Sequence, residues 1–145
     1  MAEAAAIAER LRSMGADVGF ILCSSAIRTR ETLQALLDRG ALGVGSKASP
    51  NNKVLIETGL YLASMRQLLE RLRSVPAETE SVLLVGHNPG IHDLATQLAG
   101  EGDREAYGLL RQGMPPAGLC RLEVPSKWAD LGPNAARLIS YNLPN

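Results

Sequence analysis

Apolar residues fall into two rhythms along this chain. Ile7, Leu11 and Met14 recur at spacings of four and three, which lines one face of a helix over residues 3–14. Gly15 is well placed to stop it. Phe20-Ile21-Leu22-Cys23 is too short for a helix and ends at Ser24-Ser25, so it predicts a buried strand. Leu33, Leu36 and Leu37 form the inner face of a second helix over about residues 26–39, closed by Gly40. Residues 40–53 change character: Gly40, Gly43, Gly45, Pro50, Asn51 and Asn52 describe a surface loop. Helical spacing returns at Leu62, Met65, Leu68, Leu69 and Leu72, ahead of Pro76. Val82-Leu83-Leu84-Val85 is the clearest buried strand, and it runs into Gly86-His87-Asn88-Pro89-Gly90. A fourth helix begins near Ile91, with Leu94, Ala95 and Leu98 in register.

Residues 100–118 are punctuated by glycine and proline and hold at most a short helix around 105–111. Two late strands, about 119–124 and 137–142, flank the loop that carries Trp128. Helices alternating with short apolar strands predict an α/β fold, a three-layer sandwich with a mainly parallel sheet. One feature does not fit. Such a unit ordinarily opens with a strand, this chain opens with a helix, and the early sheet is one central strand short.

Composition narrows the function. With 145 residues, 46% of them hydrophobic, the chain suits one domain over 1–145. Fifteen basic residues balance fifteen acidic ones, which argues against partners such as bare nucleic acid or an anionic membrane. Five aromatics (Phe20, Tyr61, Tyr107, Trp128, Tyr141) are few for stacking bases. There is no long apolar run and no signal-peptide pattern. Cys23 and Cys120 lie in strand-like stretches without metal-type spacing, so they read as reduced thiols of a cytoplasmic protein. No metal or other cofactor is expected.

Ligands of parallel sheets gather at the carboxyl ends of strands, beside helix N-termini. Arg28 sits in the first turn of the second helix, where a cation opposes the helix dipole. An anion between its guanidinium and the helix N–H groups would relieve that conflict; an ion pair with a surface carboxylate is the alternative. His87 closes a buried strand and enters a tight turn before another helix, a place for phosphate contact or for a structural hydrogen bond. Arg30 and His92 read as solvated, and Asp93 as an acid favoured by the dipole.

The strings Cys23-Ser24-Ser25-Ala26-Ile27-Arg28-Thr29-Arg30-Glu31-Thr32 and Val85-Gly86-His87-Asn88-Pro89-Gly90 together resemble the histidine phosphatase superfamily, most closely its small SixA-type phosphohistidine phosphatases. The resemblance runs from the first helix through Trp128-Ala129-Asp130-Leu131 to the closing strand. It implies a phosphoglycerate mutase-like fold and a metal-free site for one phosphoryl group. By that likeness Arg28 and His87 are catalytic, holding the phosphoryl oxygens and stabilising their charge at transfer, with Asn88 as a further phosphate-binding residue. Ser24 and Ser25 match a turn of geometric rather than chemical importance. Glu57 falls where larger relatives supply an acid, and its own setting suggests the surface.

The family's nucleophile is a histidine in an Arg-His-Gly or Arg-His-Ala string on the first strand. The only histidines here are His87 and His92, and the absent string coincides with the absent strand. The expectation is therefore an N-terminally shortened domain that binds phosphate but turns over little. Its partner would be a protein carrying phosphohistidine, or a small phosphoester. The alternative is a non-catalytic module that recognises phosphorylated protein. A serine hydrolase using Ser24 or Ser25 has little support without a Gly-x-Ser-x-Gly elbow. Unpaired strand edges would also favour self-association.

Overall fold

The computed structural model describes residues 2–15, 18–41, 53–116 and 118–143. Chain contacts divide it into two compact units: 1–61 with 78–86, and 62–77 with 87–144.

The first unit is built on a three-stranded parallel sheet. Helix α1 (Ala2–Ser13) leads to strand β1 (Phe20–Ser24), helix α2 (Ile27–Asp38) and strand β2 (Lys53–Glu57); strand β3 (Val82–Val85) completes it. The sheet order is β2-β1-β3, with Phe20 opposite both Lys53 and Val82. All five residues of β1 are buried, as suits a parallel strand covered on both faces. The four apolar residues of β3 are only half-buried, and β3 has one paired neighbour among the described residues. Gly15 stops α1 at φ 67°, a backbone that glycine tolerates at little cost. Most of the expected surface loop, 42–52, lies outside the described residues.

The second unit packs three helices with a mixed sheet. Helices α3 (Met65–Arg73) and α4 (Gly90–Leu98) are followed by strand β4 (Ala99–Gly102), helix α5 (Arg104–Gln112) and strands β5 (Leu119–Glu123) and β6 (Ala136–Asn142). The order is β4-β6-β5, parallel between β4 and β6 and antiparallel between β5 and β6. Ser64 begins α3 with a reciprocal capping box: its hydroxyl accepts from the Gln67 N–H, and the Gln67 side chain accepts from the Ser64 N–H. Ala95, Ala99, Ala106, Leu110, Leu138 and Tyr141 make a core between the helices and β6. The Trp128 loop forms a short 3-10 turn, Trp128–Asp130.

The class is thus α/β with parallel pairing dominant, as the alternation of patterns predicts. Two strands escaped it. β2 carries Leu55 and Ile56 at 36% and 51% exposure, so its apolar residues give no core pattern. β4 reads Ala-Gly-Glu-Gly and exists because glycine lets it approach: a side chain at Gly100 or Gly102 would meet the backbone of Asn134 or Leu138.

Gly90 makes a similar approach, since a Cβ there would collide with the Ala63 carbonyl oxygen. Gly90→Ala should therefore lower unfolding free energy by about 1–3 kcal/mol in urea denaturation. Gly108, in α5 with open space around it, is the control. Gly108→Ala should raise stability by up to about 1 kcal/mol, and the opposite ranking would contradict the packing described here.

Candidate functional site

In the first unit the β1–α2 turn is fixed by buried hydroxyls. Ser24 is fully buried; its Oγ accepts from the Ala26 N–H at 3.3 Å. The Thr29 hydroxyl, also buried, lies 2.8 Å from the Ser24 carbonyl oxygen and 2.9 Å from that of Ala26. The Ser25 N–H donates to the Glu57 carbonyl, tying the turn to the end of β2. These bonds hold the start of α2 and leave Arg28 exposed in its first turn, where the leading N–H groups have no intrahelical acceptor. No acidic residue occupies that turn, so no neighbouring acid within it neutralises Arg28. Burial raises the pKa of the Cys23 thiol, while the Thr29 hydroxyl and the Arg30 charge partly oppose the shift. Cys23 stays a neutral side chain beneath the turn.

In the second unit His87 is half-buried, and its carbonyl accepts from the Ile91 N–H at 2.9 Å. Pro89 accepts likewise from Asp93, and Asn88 Oδ1 accepts from the His92 N–H at 3.2 Å. The N–H groups of Ile91, His92 and Asp93 are thus already engaged. This start of α4 is less open to an anion than a bare helix terminus, and the His87 ring becomes the main candidate donor. Asn88 Nδ2 donates to the Met114 carbonyl. An amide nitrogen carries two hydrogens, so one remains for a ligand. His92 is not solvated as its position suggested: it is half-buried, with Nε2 2.6 Å from the Leu110 carbonyl oxygen.

No family model matches the chain. An uncharacterised protein of Mycobacterium tuberculosis is 29% identical over 136 residues, 92% of this chain and 78% of the relative. One of Mycobacterium leprae is 26% identical over 125 residues, 86% of this chain and 70% of the relative. The candidate phosphohistidine phosphatase SixA of Nakamurella multipartitia matches with a TM-score of 0.70 at 25% identity, covering 97% of this chain and 81% of that one. Its counterpart from Agrobacterium tumefaciens matches at 0.70 and 26%, over 99% and 79%. The chain has a SixA-type histidine phosphatase fold. A protein histidine phosphatase SixA complexed with tungstate shares it, with a TM-score of 0.66 at 16% identity over 95% of this chain and 76% of that one.

On this SixA-type fold, Arg28, Ser24, Ser25 and Glu57 belong to the first unit, and His87, Asn88 and His92 to the second. Ser24 is buried and hydrogen-bonded, a turn-former as expected, and Glu57 is half-buried at the end of β2. Thr29 escaped the reading of the sequence, where a β-branched polar residue in a first turn resembles any surface threonine. Among the described residues no three His, Cys, Asp or Glu side chains cluster as metal ligands would, and no helix is long and apolar enough to cross a membrane.

The segment after α5 is pinned from a third side, because the Tyr141 hydroxyl donates to the Gly113 carbonyl at 2.8 Å. Opposite Tyr141 in the β5–β6 pair lies Cys120, whose thiol burial pushes up to about 12 from 9.0. Burial, then the nearby Cys120, also raises the Tyr141 hydroxyl.

Thr29→Val should cost about 1 kcal/mol in denaturant unfolding by removing a buried hydroxyl's bonds to the Ser24 and Ala26 carbonyls, with Thr29→Ser recovering much of it. The Cys120 thiol is harder to ionise folded than unfolded. Its share of stability is full below about pH 9 and declines as pH rises toward about 12. Denaturation midpoints should fall across that window, and less steeply in Cys120→Ala.

Proposed function

We propose that this chain binds the phosphoryl group of phosphohistidine in a partner protein, with Arg28 and His87 on the phosphoryl oxygens and Asn88 assisting. The carrying observation is Arg28 itself: an exposed guanidinium in a helix's first turn, with no acid in that turn, above a turn rigidly held by Ser24 and Thr29. That placement is unfavourable for the helix alone and favourable once an anion arrives. The Arg28 and His87 motifs and the SixA-type neighbours support the phosphohistidine reading.

In the full reaction a histidine nitrogen attacks phosphorus and the P–N bond to the substrate histidine breaks. The departing imidazole takes up a proton, and water then releases phosphate from the attacking histidine. The nucleophile such a reaction needs, in an Arg-His-Gly or Arg-His-Ala string, is not among these 145 residues. We therefore read the chain as a phosphohistidine-phosphatase domain that, by itself, binds without turning over. It would act in the cytoplasm and without metal. A module that recognises phosphorylated protein and never hydrolyses it makes the same binding contacts.

Tungstate or orthophosphate titration by calorimetry tests this. Arg28→Ala and His87→Ala should each weaken binding by about tenfold or more, the loss of a charge-assisted hydrogen bond. Arg30→Ala should leave it unchanged. Equal affinity in the wild type and Arg28→Ala would remove the proposed role of Arg28.

A further inference from the structure

We propose that His92 is a positioning residue for His87, acting as the key of a latch between the His87 turn and the end of α5. The proposal rests on the phosphoryl-binding reading of His87. A carbonyl oxygen can only accept, so the 2.6 Å contact means that His92 Nε2 carries a hydrogen and donates it to Leu110. Leu110 belongs to the last turn of α5, whose carbonyls lack intrahelical donors; the same oxygen also accepts from Gly113 N–H at 3.1 Å.

Asn88 completes the latch from the residue next to His87. Its Oδ1 holds the His92 backbone N–H, and its Nδ2 reaches the Met114 carbonyl. The residue after His87 and the one five beyond it thus grip Leu110 and Met114, while Tyr141 grips Gly113 between them. His87 is joined to this frame through its own carbonyl, bonded to Ile91 N–H one residue before His92. Losing the His92 bond leaves Asn88 and Tyr141 as the side chains that tie the α5 end by described hydrogen bonds, and it loosens the first turn of α4. The backbone carrying His87 then gains freedom, and a ring that must meet phosphate oxygens in fixed geometry loses its aim.

Ring-nitrogen NMR of the whole chain, with orthophosphate as the probe, tests the latch. The wild type should show His92 with the hydrogen on Nε2. His92→Ala should move the His87 ring signals in ligand-free protein and weaken phosphate binding about tenfold. His92→Gln, which restores an N–H donor of similar reach, should return both toward wild type. Should His92→Ala not fold, His92→Met keeps the bulk without the donor and carries the same comparison. Unmoved His87 signals with wild-type phosphate affinity in the variant without a donor would overturn the proposal. If wild-type protein itself ignores phosphate, the phosphoryl reading fails. The ligand-free His87 signals then decide the latch: moved supports it, unmoved overturns it.

Discussion

The first unit depends on one constraint: β1 is buried over its whole length between two parallel neighbours. A parallel strand cannot turn back on itself, so each neighbour must come from a separate crossover. That requirement brings β2 and β3 from distant parts of the chain alongside Phe20–Ser24. β1 ends in the fully buried Ser24, whose polar groups need partners within the protein. Ser24 and Thr29 answer that need, and their bonds set where α2 starts and hence where Arg28 stands. The position of Arg28 is thus a consequence of how a buried strand ends.

The second unit relies on close backbone approach. Gly90 lets α4 meet Ala63, and Gly100 and Gly102 let β4 lie against Asn134 and Leu138. With little side-chain volume there, the turn carrying His87 is held by directed bonds from Asn88 and His92. Hydrogen bonds fix orientation more sharply than apolar contacts do, which suits the phosphoryl-binding role proposed for His87.

Elements whose apolar residues are buried were legible in the sequence. The spacing of Leu33 and Leu36 marks α2 and the run at Phe20 marks β1, because burial and pattern coincide there, while the unbroken run Val82–Val85 marks β3 although its residues are only half-buried. β2 and β4 were not legible, the first because its apolar side chains are largely exposed, the second because it is mostly glycine. At the site, Arg28 and His87 stand out through residue type and place. The roles of Thr29 and His92 depend on carbonyls at Ser24 and Leu110, and a carbonyl has no letter in a sequence.

The phosphoryl site proposed for Arg28 and His87 binds without a nucleophile of its own. Its most direct test is phosphate release from a phosphohistidine-bearing protein mixed with this chain, with retention of the phosphoprotein followed in the same sample. Retention without release is the expected result. Release by the wild type would contradict it, and loss of that release in His87→Ala would point to attack by His87 or by a histidine supplied by another chain.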